Sequence, residues 1–259
     1  MAFAPARGRR PGAGRGVVAA PTPEELEDCP FCAGHEERTP PETLRLPEDG
    51  DWTVRVVPNL YRALERQEVV VHTPRHARSF AELEDHEIDL VAEAWRLRRE
   101  AVPEGYAHAF VNEGRDAGAS LPHSHSQLAW LAETPPGVAT ETGEVDTGEV
   151  VLERDGLVLG CPPGSRLPYE LVIAPLEDEP DGFRSDLLAP ALRLLAEAIR
   201  RLQRLEGVFP WNAWLHNGRR WHVEVVPRLA ILAGLELGAG IYVNSLPPEQ
   251  AAAALRDAD

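Results

Sequence analysis

The chain of 259 residues has little cysteine and little basic charge, and each shortage excludes a class of protein. Three cysteines, two of them in one CxxC, are too few for a disulfide framework and fit a reducing compartment with a metal or redox pair. Acidic residues outnumber basic residues by 42 to 26, and the net charge of −16 makes nucleic acid a poor partner. Any phosphate-bearing ligand would therefore need local donors.

Long apolar segments are also missing. There is no run of about 18 apolar residues, so we expect neither a membrane span nor a membrane partner. The first residues, MAFAPARGRRPGAGRG, are basic but contain no apolar core of signal-peptide length, so secretion is not expected either. The chain is long enough to bury a proper core. Together these features predict a cytoplasmic globular protein.

A glycine-rich loop followed by an alternating polar segment is the most distinctive stretch of the chain. In HSHSQ, His123, His125 and Gln127 alternate with serines, so an extended strand would place all three side chains on one face. The preceding loop, residues 112–120, offers backbone N–H donors of the kind that bind phosphate. The same pattern also fits ordinary core or surface histidines beside a turn. On this segment alone the two interpretations are equally supported.

The second half of the sequence repeats the first. Each half contains a strand segment that ends at proline, a long helical pattern and two further strand segments, with helices expected over residues 81–101 and 185–205. Repetition at this length predicts two packed copies of one strand–helix–strand module. The halves are expected to span residues 1–133 and 134–259.

The two copies differ at the positions that carry chemistry. His123 aligns with His222, but His125 aligns with Glu224. Only the first copy keeps both histidines and the glutamine, so we expect the chemistry in the first half. The second copy would be scaffold, a second metal site or part of the binding pocket.

Two thiols and two imidazoles form a candidate zinc site. Cys29 and Cys32 come from one tight turn, and His76 and His123 would complete a closed tetrahedral geometry. The alternative is a pair of reduced thiols without a ligand. A metal at His123 would fix the strand and so orient His125, two residues further on.

His125 is the candidate nucleophile. A neutral imidazole attacks phosphorus well, and the reference pKa of histidine leaves it mostly neutral at pH 7. The loop amides, the Ser120 hydroxyl and the Gln127 amide are the expected donors to phosphoryl oxygens. An amide at position 127 cannot deliver or accept protons, so it favours transfer to another acceptor over hydrolysis.

Several motifs occur in an order that is similar to one known family. CPFC, VPN, TPRH, VNEG, GASLPHSHSQ, YELVIAP and HVEVVP together resemble the galactose-1-phosphate uridylyltransferase family, a transferase branch of the histidine-triad superfamily. The resemblance implies an α+β fold in which two histidine-triad-like halves form an antiparallel half-barrel sheet with outer helices. It also implies a homodimer and ping-pong transfer of UMP between UDP-glucose and galactose 1-phosphate through a uridylyl-histidine.

The resemblance assigns roles to individual residues. It makes His125 the nucleophile and places Gln127, Ser120, Asn112 and the loop glycine Gly118 around the phosphates. The remaining implied ligands of the substrate are Asn59 beside the nucleotide, Arg7 and Arg10 near the phosphates, and Glu236 near the hexose. The implied zinc ligands are Cys29, Cys32, His76 and His123. The implied ligands of a second site, for iron or zinc, are His216, His222 and Glu224.

Departures from the family pattern leave the substrate open. Ser124 and Ser126 replace the proline and glycine of the usual HPHGQ, a change also found in relatives that look like ADP-glucose phosphorylases. Leu60 stands where an acidic residue often contacts the ribose. The alternatives are therefore an ADP-glucose phosphorylase or adenylyltransferase, and a zinc-stabilised nucleotide-binding module without catalysis.

Overall fold

A computed structural model describes residues 2–3, 20–140 and 144–258. Ten of their strands form one large antiparallel sheet with helices packed on it, and two short strands form a separate parallel pair. The strands are β1 (Ala2–Phe3), β2 (Leu44–Leu46), β3 (Val54–Pro58), β4 (Arg66–Val71), β5 (Tyr106–Glu113), β6 (His125–Leu131), β7 (Glu149–Arg154), β8 (Leu157–Cys161), β9 (Leu171–Pro175), β10 (Trp211–His216), β11 (His222–Pro227) and β12 (Val243–Asn244). The α-helices are α1 (Pro23–Asp28), α2 (Asp85–Ala101), α3 (Pro136–Ala139), α4 (Leu188–Glu206), α5 (Gly234–Ala239) and α6 (Pro248–Asp257). Single 3-10 turns occur at Glu36–Arg38, Phe80–Glu82 and Arg115–Ala117.

The first long helix begins later than its sequence pattern predicts. Phe80–Glu82 forms a separate 3-10 turn, closed by a capping box between Ser79 and Glu82. Leu83 and Glu84 have extended backbone and separate this turn from α2. Glu84 is the N-cap of that helix. A Ser/Glu capping box predicts a helix start but cannot show that the helix stops after one turn.

The large sheet reproduces the sequence repeat. Its ten strands lie in the order β2-β3-β4-β6-β5-β10-β11-β9-β8-β7, and every neighbouring pair is antiparallel. The counterpart of each strand in the repeat is five strands further along the chain. Read from the β7 edge, the counterparts therefore occur in the same order as the first five strands read from the β2 edge. The equivalent residues Phe110 and Trp214 lie directly opposite each other where the halves meet. An approximate twofold axis therefore passes through this pair.

The antiparallel sheet with outer helices is confirmed, and the sheet stays open at its edge strands β2 and β7. The division of the chain into halves at residue 133 remains a prediction. Among the residues that the structure describes, no helix has the length and apolar character needed to cross a membrane.

The two faces of the sheet are covered differently. On one face, alternate residues such as Val111, Leu128 and Ala213 enter the main hydrophobic core beneath α2, α4 and α6. On the other face, their neighbours Gln127 and Trp214 are only half-buried. Because successive strand residues point to opposite faces, this alternation produces one packed face and one open face. The open face carries the polar residues that the sequence singles out.

Candidate active site

A buried cluster of two thiols and two imidazoles lies just before the start of β6. Nδ1 of His123 is 3.3 Å from Sγ of Cys29 and 3.7 Å from Sγ of Cys32, and Nδ1 of His76 is 3.2 Å from Sγ of Cys32. All four donor atoms lie within 4.8 Å of one another. A tetrahedral zinc ion with Zn–S near 2.3 Å and Zn–N near 2.0 Å would hold sulfur and nitrogen about 3.5 Å apart. The donor set and its spacing therefore fit zinc.

The outer contacts of this cluster orient both imidazoles toward the same point. His76 donates from Nε2 to a carboxylate oxygen of Glu25 at 2.9 Å, and His123 donates from Nε2 to the carbonyl of Thr73 at 3.0 Å. Each histidine thus carries its proton on Nε2 and turns the lone pair of Nδ1 toward the sulfurs. Arg78 holds the Glu25 carboxylate from its other side. Sequence reasoning missed Glu25, which lies on α1, because no motif includes it.

Ionisation in the cluster follows from its burial. Burial lowers the pKa of His123 to about 4, so the imidazole is neutral at pH 7, as a metal ligand must be. Burial and the neighbouring Cys29 raise the pKa of the Cys32 thiol to about 12 in the absence of a cation. A metal bound here would displace the thiol proton, because a thiolate is the form that ligates a metal.

His125 begins β6 and turns its ring toward the open face. Its Nδ1 donates to the backbone carbonyl of His123 at 2.7 Å, so the proton is held on Nδ1 and the lone pair lies on Nε2. The ring of Phe31 packs against it edge-on, with the ring centroids 5.4 Å apart. Burial lowers the pKa of His125 below its ordinary value. The structure therefore presents a neutral imidazole with a fixed tautomer.

Gln127 lies two residues further on the same face. Its Oε1 accepts hydrogen bonds from the side-chain amides of Asn59 at 3.1 Å and Gln67 at 2.6 Å. With both amides bound to the oxygen, the NH₂ group of Gln127 is left to donate to another acceptor. Asn59 was expected near the nucleotide, and in the structure it contacts Gln127. Gln67 was not predicted, because it is an ordinary polar residue in a strand.

Asn112 continues the polar face onto β5. Its Oδ1 accepts from Nδ2 of Asn212 at 2.8 Å, and the same Nδ2 also donates to the carbonyl of Ala117 at 2.8 Å. Gly118 has a φ of +92°, and a Cβ atom at this position would lie 3.6 Å from Nδ2 of Asn112. Asn112 and Gly118 therefore lie close together, next to the start of β6. Asn212 comes from the second half and was not predicted.

A cavity of about 340 Å³ opens on the same face at the junction of the two halves. Its lining includes Asn112, Asn212, Trp214, Arg166 and Arg228. Arg166 pairs with the buried carboxylate of Glu170 at 3.3 Å. Arg228 makes no side-chain hydrogen bond or ion pair within the parts of the chain that the structure describes. The cavity therefore combines amide groups with the positive charge of Arg228, which no described residue neutralises.

Comparison with known proteins identifies this arrangement. Residues 64–136, which contain β4, α2, β5 and β6, match the family described as galactose-1-phosphate uridyl transferase, N-terminal domain. The chain is 28% identical to the ADP-glucose phosphorylase of Arabidopsis thaliana over 98% of this chain and 89% of that protein. It is 23% identical to the galactose-1-phosphate uridylyltransferase of Thermotoga maritima over 92% of each. The chain is related to the galactose-1-phosphate uridylyltransferase family.

A solved structure supports this relationship across the whole fold. The crystal structure of the ADP-glucose phosphorylase from Arabidopsis thaliana with bound ADP-glucose superposes with a TM-score of 0.85 at 26% identity, over 98% of this chain and 94% of that chain. The resemblance read from the motifs is therefore confirmed. These relatives are nucleotidyltransferase-type enzymes, and their names specify different substrates, which are ADP-glucose for one and galactose 1-phosphate for the other.

The second cluster implied by the family resemblance also comes together. One carboxylate oxygen of Glu224 lies 3.4 Å from Nδ1 of His216 and 3.7 Å from Nε2 of His222, and the two rings stack with centroids 4.4 Å apart. Trp214 donates to the same oxygen at 3.1 Å. Burial opposes ionisation of Glu224, but the two histidines hold its pKa well below the ordinary range. The set fits a metal with three protein ligands, and its carboxylate is also satisfied by local hydrogen bonds.

Four implied ligand residues lie elsewhere or outside the described residues. Ser120 is exposed on the wall of a different cavity, of about 540 Å³, which Glu113 also lines. Glu236 is buried at the start of α5, where its carboxylate accepts from the backbone of Ala233 at 2.9 Å. Arg7 and Arg10 lie outside the residues that the structure describes. The substrate roles of these four residues remain predictions.

Proposed function

We propose that the protein is a nucleotidylyltransferase that works through a covalent bond between Nε2 of His125 and the α-phosphorus of a nucleotide sugar. The observation that carries this proposal is the hydrogen bond from Nδ1 of His125 to the His123 carbonyl, which leaves the lone pair on Nε2. The Nε2–phosphorus bond forms as the bond from phosphorus to the bridging oxygen breaks, and hexose 1-phosphate leaves. In the second step an oxygen of the acceptor phosphate attacks the same phosphorus, and His125 is released.

The other groups bind and orient the reacting phosphates. Gln127 donates its NH₂ group to the phosphoryl oxygens, because its own oxygen is already occupied by two amides. We place Asn112 of β5 and the backbone around Gly118, in the loop after β5, at the same site. Zinc, when held by the four ligands near His123, supplies structural closure of the site and no open coordination position. We propose the three-ligand cluster at Glu224 as a second site for iron or zinc.

The nucleophile divides the open face into two sides. On one side are Asn59 and Gln67 of β3 and β4, where we place the nucleoside. On the other side the cavity with Arg228 lies across β5, β10 and β11, about one to three strand spacings of roughly 4.8 Å from His125. We therefore assign this cavity to the leaving hexose phosphate and the incoming acceptor, which must lie within this distance of His125. The positive charge of Arg228 is suited to the acceptor phosphate.

Two donor and acceptor pairs fit this chemistry. The first is UDP-glucose with galactose 1-phosphate or another hexose 1-phosphate, as the family resemblance implies. The second is ADP-glucose with inorganic phosphate. The second is supported by the higher identity to the Arabidopsis phosphorylase, 28% compared with 23%. We further propose that the protein acts as a cytoplasmic homodimer without nucleic acid or membrane partners.

Formation of the adduct tests the proposal. The protein is incubated separately with UDP-glucose and ADP-glucose, and intact mass and peptide mapping are then measured. We expect UMP or AMP on His125 from at least one donor and none on His125→Ala. If the folded protein binds these nucleotides without any adduct or turnover, the enzymatic proposal is wrong and the module without catalysis is supported.

A further inference from the structure

A third histidine lies directly behind the candidate nucleophile, on the packed face of the sheet. His72 follows β4, is completely buried, and packs edge-on against Phe80 with ring centroids 5.2 Å apart. Its Nδ1 is 2.9 Å from Oγ of Ser124, and its Nε2 is 2.9 Å from Oγ of Ser126. Both ring nitrogens of His72 are therefore hydrogen-bonded to the two residues that flank His125.

The strand geometry explains why these three side chains meet. Ser124 and Ser126 alternate with His125, so their hydroxyls point away from the open face and into the packed side. The register pairs Val71 with His125, which places His72 beside Ser124 on the same packed side. The backbone of His72 also donates to the carbonyl of Ser124, at 3.3 Å. The contact thus joins β4 to β6 on both sides of His125.

The hydrogen bonds form a continuous chain from α2 to both serines. Trp95 of α2 donates from Nε1 to Oγ of Ser126 at 2.9 Å. A neutral imidazole has one donor and one acceptor. These contacts are satisfied when the Ser126 hydroxyl donates to Nε2 of His72 and Nδ1 of His72 donates to Ser124. Removal of the ring would leave buried hydroxyls without their partner, which costs more than the bonds themselves contribute.

We propose that His72 is a positioning residue that holds the backbone of residues 124–126, and so sets the direction of the His125 ring toward the α-phosphorus. This inference rests on the proposed function of His125. It also accounts for the two serines, because the proline and glycine of HPHGQ could not bind the ring. Proline restricts its own backbone without such a contact, whereas serine needs an outside partner to be held in one conformation. His72 and the serine pair therefore act as one unit.

Single-turnover formation of the nucleotidyl-enzyme is the appropriate measurement, because it reports the attack by His125 directly. We expect His72→Leu and Ser124→Ala/Ser126→Ala each to slow adduct formation by about 10- to 100-fold, since a misplacement of about 1 Å can cost that much. The Kd of the nucleotide sugar should change by less than about twofold, because none of the three side chains reaches the open face. Zinc content should stay the same.

Non-additivity separates positioning from general stability. Adding His72→Leu to the double serine variant should cause little further loss, because the unit is already broken. His72→Gln, which retains a donor and an acceptor, should recover part of the rate. Val70→Ala is the matched control: Val70 pairs with Ser126 and is fully buried, so its truncation should lower Tm without changing the rate per folded enzyme.

The outcomes distinguish this inference from the proposed function. If the unmodified protein forms no adduct with any nucleotide sugar, the proposed function fails. If it forms the adduct and the folded His72→Leu and double serine variants do so at the same rate, His72 has no positioning role. A loss of Tm that matches Val70→Ala, with an unchanged rate, would likewise overturn the positioning role.

Discussion

Glu25 is a carboxylate outside the metal cluster that is expected to affect the zinc affinity of the cluster. It accepts the Nε2 proton of His76 and is held in turn by Arg78. Such outer partners fix the tautomer of a ligand and raise its basicity, and their loss typically costs about 10- to 100-fold in metal affinity. We expect Glu25→Gln to weaken zinc binding by that factor, measured by competition with a chromophoric chelator. Glu24→Gln, on the same helix, is the matched control.

Gln127 is expected to control the fate of the covalent intermediate. Its amide cannot exchange a proton with water, so the adduct should wait for the acceptor phosphate. We predict that Gln127→His raises the rate at which water removes the nucleotide from His125 by about tenfold or more, while transfer becomes slower. The test is the decay of isolated, labelled nucleotidyl-enzyme in the absence of acceptor. Equal decay in the two proteins would contradict this role of the amide.

Arg228 supplies a prediction for the acceptor side of the site. Its side chain lines the central cavity and has no charged partner in the described parts of the chain. Arg228→Gln should raise the KM of the acceptor phosphate by about tenfold or more, because a charged hydrogen bond contributes about 1.5–3 kcal/mol. Arg184→Gln, an exposed arginine before α4, serves as the control. A KM equal to that of the unmodified protein would remove Arg228 from the acceptor site.

Among the secondary structure elements, α4 depends on the residue that ends it. Gly207 is the C-cap, with φ of 73° and ψ of −159°, a region that side chains rarely adopt. Its N–H donates to the carbonyl of Gln203 and closes the last turn. We expect Gly207→Ala to lower the free energy of unfolding by about 1–3 kcal/mol in urea titrations. Gly137→Ala, in α3, has open space at its Cβ and no positive φ, so it should change stability little.

The strands and long helices were predictable because their signals are local. Alternation in HSHSQLAWL, together with Pro74 after β4 and Pro175 at the end of β9, predicted strands that the structure contains. The break between the 3-10 turn at Phe80–Glu82 and α2 was not predictable, since it depends on the backbone at Leu83 and Glu84. The set of four metal donors was predictable by residue type. Its outer partner Glu25 was not, because a glutamate on a short helix resembles any surface glutamate.

Across the whole molecule, the repeat explains where the site lies. The pairing of β5 with β10 places Phe110 and Trp214 at the centre of the sheet, and the central cavity opens beside both residues. The sequence predicted the duplication but not which side chains of the second half would enter the site. Asn212 and Arg228 are ordinary residues in a strand and after one. Only the pairing of β5 with β10 brings Asn212 to Asn112.

The pH dependence of global stability gives a prediction from Glu113. Burial raises the pKa of its carboxyl to about 7, although the backbone N–H of Phe80 donates to it at 2.8 Å. Between the unfolded value near 4.5 and the folded value near 7, the native state binds the proton that the unfolded chain has lost. This contribution is therefore complete below that window and is lost as pH rises through it.

The comparison with Glu113→Gln isolates this effect. We expect the unmodified protein to lose about 1–2 kcal/mol more unfolding free energy than Glu113→Gln between pH 5 and pH 8, a figure reduced for the partial exposure of the side chain. Urea unfolding at the two pH values provides the measurement. Identical losses in the two proteins would show that the Glu113 carboxyl has an ordinary pKa.

The central claim is that His125 carries the nucleotide, and mass analysis of the protein after incubation with ADP-glucose or UDP-glucose tests it most directly. We expect a mass increase of one nucleoside monophosphate that maps to His125, is absent in His125→Ala, and disappears when phosphate or a hexose 1-phosphate is added. A folded, nucleotide-binding protein that turns over substrate with no adduct, or with the adduct on another residue, would contradict it.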